Sequence, residues 1–302
     1  MHALTMTEKR EQLRGELRLN EPMAARTSWR VGGPARRYYR PADVADLAAF
    51  LQTLPAGEPV IWVGLGSNLL VRDGGLAGTV IATYGVLGEL QLLDAVTVRA
   101  EAGVSCAKVA RFGARQGLVG GEFLAGIPGT VGGALAMNAG AFGGETWERV
   151  IAVETLDRHG TLRRRTPADY RIGYRTVRGA PDEWFVAAHL RFEKGDAAAA
   201  QARIRSLLER RNRTQPTHQP SCGSVFRNPE GDHAARLIEA SGLKGRCIGG
   251  ACVSEKHANF IVNTGGATAT DIEALIEEVR REVERSQGVR LQTEVRIVGV
   301  GS

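Results

Sequence analysis

The chain is poor in lysine, in aromatic residues and in cysteine. Only 5 of its 39 basic residues are lysine, aromatics make up 6% of 302 residues, and there are four cysteines. Cys106, Cys222, Cys247 and Cys252 form no CxxC pair and show no His/Cys ligand spacing, so no structural zinc or other metal is expected. Four scattered thiols in a chain of this size are expected to stay reduced, as they would in a cytosol. No stretch approaches about 18 uncharged apolar residues, so no membrane span is expected. Glu8, Lys9, Arg10 and Glu11 leave no room for the apolar core of a secretory signal. Together these absences predict a cytoplasmic chain.

Glycine is abundant: 38 of 302 residues, against a usual share of about 7%. It follows no three-residue period, which excludes a collagen-like chain. The 43% hydrophobic content excludes a disordered one. The surplus gathers in a few loops, where backbone must approach something closely. At about 100–200 residues per domain, the length predicts two domains. The net charge of +6 is modest and suits small anions as well as polymers. Arg203, Arg205, Arg210, Arg211 and Arg213 read as a solvated helix face, because no interleaved aromatics support nucleic-acid contact.

Leu13, Leu17 and Leu19 among charges predict an amphipathic helix over 7–19, an arm that precedes the main body. A helix is expected from Pro41 to about Leu54, and a buried strand at 60–63 runs into the Gly64 turn. Further strands are expected at 69–72, 79–83 and 95–101. Ser105 caps a helix to 116. Asp157–Gly160 turns a hairpin between 149–156 and 161–165, and 183–193 is another strand. Beyond Gly195, Asp196 caps a long helix, then come a helix over 233–241 and strands at 251–253 and 259–263. Thr270 or Asp271 caps a helix to about 286, and a last strand spans 289–298. The expected division is an arm over 1–20, a first unit over 21–195 with lobes 21–85 and 86–195, and a second domain over 196–302. The mixed elements predict an α+β fold.

Two loops could carry chemistry. Gly64-Leu65-Gly66-Ser67-Asn68 follows an apolar strand and could let a phosphate approach bare backbone. It fits neither GxGxxG nor GxxxxGK[ST], and a tight structural turn is its other reading. The run from Gly120 to Ala141 is richer still. Pro128 fixes one φ, flanking glycines open others, and Thr130 could cap a short helix of small residues. Two such loops in one domain suit a long ligand with a central diphosphate.

These loops, with Arg26-Thr27-Ser28-Trp29-Arg30-Val31-Gly32-Gly33-Pro34-Ala35, resemble the UDP-N-acetylenolpyruvoylglucosamine reductase family. Gly223-Ser224-Val225-Phe226-Arg227-Asn228-Pro229 and His257-Ala258-Asn259-Phe260-Ile261-Val262-Asn263 resemble its C-terminal half. The resemblance runs in order over about 20–298. It implies a two-lobed FAD-binding unit of the vanillyl-alcohol oxidase type followed by a smaller α+β substrate-binding domain. It also implies non-covalent FAD, NADPH as co-substrate, and reduction of the enolpyruvyl group of UDP-N-acetylglucosamine-enolpyruvate to UDP-N-acetylmuramate. That is an NADPH-dependent flavoprotein oxidoreductase of peptidoglycan precursor synthesis, serving cell-wall biogenesis, cell shape and division. No tyrosine-bearing insert is visible after Arg175, so the sequence is similar to the shorter, second subtype, expected to act as a monomer.

By the same resemblance, FAD would lie along Gly64, Gly66, Ser67, Asn68 and Leu69, and along Gly126, Ile127, Gly129, Thr130, Gly132, Gly133, Ala134, Asn138 and Gly140. Hydride delivery to the vinyl carbon pushes charge toward the substrate carboxylate, so the site needs a cation there and a proton donor above the other carbon. Arg175 matches the family's catalytic arginine, and a guanidinium can grip a carboxylate at two points. Tyr170-Arg171 is a competing Tyr-Arg pair, and Val177 stands where the family usually has serine. Ser224 matches the proton donor, and Glu294 matches a glutamate that could orient Ser224 or a water. The alternation of Val295 and Ile297 puts Glu294 on the other side of its strand. Gln215 and Asn228 are expected to touch substrate, while His257 is expected to be structural and hydrogen-bonded. Cys222 beside Ser224 could be a nucleophile but has no paired base.

Two other readings stand beside this one. An FAD oxidase of the vanillyl-alcohol oxidase group would often tether its flavin through His or Cys, and the Gly-Ser-x-Phe-x-Asn-Pro motif argues against it. A non-catalytic basic nucleotide-binding protein would be colourless and bind polymers in a salt-sensitive way.

Overall fold

A computed structural model describes residues 13–301. The chain folds as two compact units. The first comprises residues up to Leu19, Arg37–Gly64 and Gly78–Leu208; the second comprises Asn20–Arg36, Leu65–Ala77 and residues from Glu209 onward.

In the first unit, a five-stranded antiparallel sheet runs in the order Leu162–Arg165, Val150–Asp157, Glu183–Arg191, Thr97–Glu101, Leu90–Leu92. The expected Asp157–Gly160 turn joins the first two strands. Helices Cys106–Arg115 and Val131–Met137 contribute Val109, Ala110, Val131 and Leu135 to a core that also takes Val98, Val153 and Leu190. Ser105 caps the first of these helices by accepting from the Lys108 N–H. A second sheet, most of whose residues belong to this unit, runs in the order Glu16–Pro22, Pro34–Arg40, Leu76–Ala82, Val60–Val63 and is backed by helix Val44–Leu51. Tyr39, Leu47, Phe50 and Ile81 form its core, with Tyr39 and Phe50 stacked at 3.7 Å.

The predicted helix over 7–19 is corrected here. Residues 7–12 lie outside the described chain, and Glu16–Pro22 is a strand. Leu17 and Leu19 are exposed, so a helix would have had no apolar stripe to bury, whereas an edge strand satisfies its backbone through pairing.

In the second unit, the terminal helix Ala269–Gln287 buries Ile272, Leu275, Ile276, Val279 and Val283 on one face. Its start is Thr268, two residues earlier than expected. Thr268 and Asp271 form a reciprocal capping box, and Gly288 ends the helix at a left-handed φ of 69°. The helix packs with Ala234–Ala240 and a three-stranded antiparallel sheet of Cys247–Ile248, Ala251–Val253 and Ile261–Asn263. The last strand is shorter than expected, Arg296–Val298, and pairs in parallel with Leu69–Val71.

The expectation of four reduced thiols is also corrected. Gly249 and Gly250 form a two-residue turn that sets Cys247 opposite Cys252 with a Cα–Cα separation of 4.1 Å, and the pair is disulfide-bonded. Cys106 and Cys222 are buried free thiols. No helix among the described residues is long and apolar enough to cross a membrane.

One polar cluster is built into the five-stranded sheet. Arg99 donates to both oxygens of Glu154 at 2.8 and 2.7 Å, and His189 Nε2 lies 2.7 Å from the same carboxylate. The Arg99 fork, aided by His189 and opposed by burial, holds the Glu154 carboxyl down at about 2. A carboxylate with a lowered pKa stabilises the fold above its ordinary value of 4.5 and loses that contribution as pH falls toward 2. Glu154→Gln is therefore expected to cost about 2 kcal/mol at pH 7, with the difference from wild type shrinking below pH 4. Urea unfolding at several pH values checks this, and a pH-independent difference would contradict it.

Candidate active site

In the first unit, strand Val60–Val63 delivers Gly64 against the glycine-rich run. A Cβ at Gly64 would land on the Thr130 hydroxyl. Thr130 is the residue preceding helix Val131–Met137, and its side chain makes no capping bond, so the hydroxyl belongs to the Gly64 contact. Val131 and Gly132 donate their N–H groups to the carbonyls of Val104 and Ala102. Gly126 and Gly132 are glycine because their own fold has no room: Phe142 and Ala141 crowd the first, Ala102 the second. Gly133 is different. It is exposed, and a Cβ there would meet nothing closer than Thr130 Oγ1 at 3.8 Å. Internal packing does not require glycine there. Ile127, Thr130, Ala134 and Asn138 are buried, while Gly129 and Gly140 are half-buried.

Asn138 ends this helix in the left-handed region, φ 47°. Its side chain accepts from the Trp147 N–H and donates to Glu145 (2.7 Å) and to the Gly173 carbonyl (3.2 Å). Gly173 closes strand Arg171–Gly173, and Tyr174-Arg175 is the turn to strand Thr176–Arg178. Arg175 also sits at positive φ, 51°. Its Nη1 and Nη2 donate to the carbonyls of Asn138 and Gly140, both at 3.1 Å. The guanidinium lies 3.8 Å from Glu145 and 4.9 Å from the Tyr174 ring centre. Arg175 is thus seated at the C-terminal edge of the glycine-rich run. The competing pair is not: Tyr170 packs on Trp147 and Phe185, and Arg171 is exposed. Val177 packs against the core of this unit.

In the second unit, Gly66 stands at φ +62°, and a Cβ there would strike the Arg26 carbonyl. The Gly66 carbonyl accepts from the Ser28 N–H and, with that of Leu69, from the Cys222 thiol. Asn68 Nδ2 donates to the Glu294 carbonyl at 3.1 Å, and Arg296 N donates back to the Asn68 carbonyl. Ser67 is half-buried beside them. The Trp29 indole, fully buried, donates to the Ile261 carbonyl, so the Arg26–Ala35 segment is anchored to the sheet of its own unit.

The segment carrying Ser224 is extended and held on two sides. Val225 N donates to the Asn259 carbonyl, Glu294 N donates to the Val225 carbonyl at 2.8 Å, and Arg227 N donates to the Gln292 carbonyl. Asn259, 3% exposed, clamps Phe226 from its side chain: Oδ1 accepts from Phe226 N (2.9 Å) and Nδ2 donates to Phe226 O (2.8 Å). Ser224 and Glu294 are both half-buried, and the Glu294 N–H is bonded to the carbonyl of the residue after Ser224. Asn228 Oδ1 accepts from Ala234 N, which opens helix Ala234–Ala240. Gln215 Oε1 accepts from Arg211 Nε at 3.2 Å. Burial pushes the Cys222 thiol up to about 12, which removes it as a nucleophile. His257 is hydrogen-bonded through its backbone, its N–H donating to Ser254 Oγ and its carbonyl accepting from Phe260 N, while ring Nδ1 is buried without a partner among the described residues and the ring packs edge-on to Phe260.

Comparison with known proteins decides the family. An FAD-binding-domain family model matches residues 35–166, and the model for the UDP-N-acetylenolpyruvoylglucosamine reductase C-terminal domain matches 215–298. The reductase of Alkalilimnicola ehrlichii is 68% identical over 285 residues, covering 94% of this chain and 95% of that protein. The Nitrosococcus oceani reductase is 61% identical over 95% of this chain and 96% of its own. The chain belongs to the UDP-N-acetylenolpyruvoylglucosamine reductase family. A solved reductase of this family, from Thermus caldophilus, superposes with a TM-score of 0.80 at 33% identity over 94% of this chain and 98% of its own.

As a family member, the chain is an FAD-dependent oxidoreductase. The FAD-binding match spans the run from Gly64 to Asn138, and the reductase C-terminal match spans Gln215, Ser224, Asn228 and Glu294. Arg175 lies between the two matches. Three residues were missed in the sequence. Glu145 and Asn259 position others through hydrogen bonds that no linear pattern predicts. Arg211 was read as one of a solvated row, yet burial pulls its guanidinium down from its ordinary pKa, and Gln215 rather than a carboxylate is its partner. The four-residue spacing of Arg211, in helix Ala197–Thr214, and Gln215, just past its end, was the available signal. Asn259→Ala would leave the Phe226 N–H and C=O without partners, which is expected to cost about 2 kcal/mol and to slow turnover. Urea midpoints and kcat measured together check this, and an unchanged midpoint would remove the clamp from the account.

Proposed function

We propose that this chain reduces the enolpyruvyl group of UDP-N-acetylglucosamine-enolpyruvate to the lactyl ether of UDP-N-acetylmuramate, at the expense of NADPH. The observation that carries this is the Arg175 fork, seated on two backbone carbonyls at the end of a run of small residues. The residues present fit FAD: Gly64, Gly66 to Leu69, Gly126 to Ala134, Asn138 and Gly140 would hold it, with Gly133 supplying bare exposed backbone. When bound, FAD would supply the hydride chemistry that links NADPH to the substrate double bond. In this reading 21–195 binds FAD through lobes 21–85 and 86–195, while 196–302 binds the sugar nucleotide.

Arg175 grips the substrate carboxylate and stabilises the negative charge that builds there as the double bond is reduced. Two backbone carbonyls fix the direction of its fork, with Glu145 3.8 Å away, which supports a fixed cation in this role. The Ser224 hydroxyl gives its proton to the carbon bearing the carboxylate, and Glu294 orients that hydroxyl or a water that restores the proton. The backbone bond from Glu294 to Val225 supports the pairing. Gln215 and Asn228 contact the sugar nucleotide; Asn228 spends its oxygen on Ala234, which leaves its amide N–H groups for the substrate. The same reading puts the enzyme in the cytoplasm as a monomer, supplying wall precursor on which cell shape and division depend.

The purified protein is expected to be yellow, to bleach with NADPH and to regain colour when the enolpyruvyl sugar nucleotide is added; flavin that stays oxidised with NADPH would end this reading. Ser224→Ala is expected to bleach at a near-normal rate while recolouring slows about 10²–10⁴-fold. Stopped-flow absorbance separates the two, and equal losses in both steps would deny Ser224 its role. Arg175→Lys is expected to lower kcat about 10²-fold or more, because a point charge cannot bond both carbonyls and a carboxylate. Near wild-type turnover would reassign Arg175.

A further inference from the structure

Within the second unit, three arginines converge on a cavity of about 470 Å³ lined by Arg227, Arg280, Arg290, Leu291, Gln292 and Thr293. They come from three separate places: the Ser224–Asn228 segment, the face of the terminal helix, and the loop that follows it. Like charges gathered around one cavity repel, so such a cluster needs an offsetting anion. The protein supplies only part of it. Arg280 Nη1 pairs with Glu277 Oε1 at 2.9 Å, and Arg290 Nε is 4.0 Å from Glu284. Arg227 has no carboxylate partner among the described residues. The Nε atoms of Arg227 and Arg280 are both buried and make no hydrogen bond among the described residues. A buried guanidinium N–H left without an acceptor costs about 1–3 kcal/mol, and here both belong to residues that line one cavity.

We propose that this cavity is an anion site for a phosphate or diphosphate group, distinct from the residues assigned to FAD and substrate. Three guanidinia approaching from three chain segments need acceptor oxygens that point in several directions. A tetrahedral phosphoryl group offers these, whereas a planar carboxylate offers two in one plane. The cavity exceeds the size of a single phosphate, so the natural occupant carries its phosphoryl group on a small molecule. The site is also wired to the chemistry. Arg227 N donates to the Gln292 carbonyl at 2.9 Å, Phe226 pairs with Thr293, and Glu294 N donates to the Val225 carbonyl at 2.8 Å. An anion that draws Arg227 toward Arg290 therefore tightens the two segments that carry Ser224 and Glu294. This coupling rests on the proton-delivery reading of those two residues; the binding does not.

The test uses the FAD-loaded enzyme with ¹⁵N-labelled arginine. The Nε–Hε signals of Arg227 and Arg280, identified through Arg227→Lys and Arg280→Lys, are followed while pyrophosphate or inorganic phosphate is added, with sodium chloride at matched ionic strength as control. Both signals are expected to shift saturably with Kd about 1 mM or tighter for pyrophosphate. Arg280→Gln is expected to weaken binding about tenfold while NADPH still bleaches the flavin. Tighter binding of pyrophosphate than of phosphate identifies a diphosphate as the recognised group, and equal binding identifies a single phosphoryl. Signals that do not move, or that move equally with chloride, overturn the site. For the coupling, saturating pyrophosphate is expected to change the recolouring rate at least about twofold in wild type and not in Arg280→Gln. The same response in both proteins, or none in either, overturns the coupling while the binding measurement stands apart from it.

Discussion

A cation held by backbone carbonyls is the interaction on which the proposed chemistry depends. The Arg175 guanidinium is fixed by the carbonyls of Asn138 and Gly140. Carbonyl dipoles restrain its direction, and Glu145 forms an ion pair with it at 3.8 Å. Two left-handed residues make this possible. Asn138 at φ 47° ends its helix so that the following carbonyls turn outward, and Arg175 at φ 51° lies in the tight turn that faces them. A positive φ outside glycine is costly, and it persists only where surrounding bonds over-determine it. Here the Asn138 side chain ties Trp147, Glu145 and Gly173 together.

Glycine serves two different purposes in the same run. At Gly64, Gly126 and Gly132 a side chain would collide with the protein itself, so those positions let the Val60–Val63 strand end, the run and the Ala102 backbone approach closely. At Gly133 the protein leaves space, and the bare backbone faces outward. The packing glycines give the run a single shape; in the proposed reading, the open one lets FAD lie on bare backbone.

The second unit solves a different problem, which is to hold an extended segment that lacks a regular sheet. Ser224–Asn228 is fixed by the Asn259 side chain, by backbone bonds to Gln292 and Glu294, and by Phe226 in the core beside the terminal helix. Asn259 is buried and fully used, the condition under which a buried polar group specifies one arrangement rather than weakening the fold. The arginines on the neighbouring cavity are not fully used, and that contrast marks the cavity as built for something outside the chain.

Local regularities were legible in the sequence. The helix after Ser105, the hairpin at Asp157–Gly160, the Asp196-capped helix and the long C-terminal helix follow from caps, turns and apolar spacing, all of which act within a few residues. The order of motifs carried the family and its flavin. Other features were decided by partners far away in the chain. Residues 16–22 became a strand because a neighbouring strand was available to pair with. Cys247 and Cys252 met because a two-glycine turn brought them face to face. Arg175 was separated from Arg171 by carbonyls 35 and 37 residues back, and Asn259 found its role 33 residues from Phe226. Short-range propensity is written residue by residue, but which donor reaches which acceptor is settled only when the chain has closed its loops.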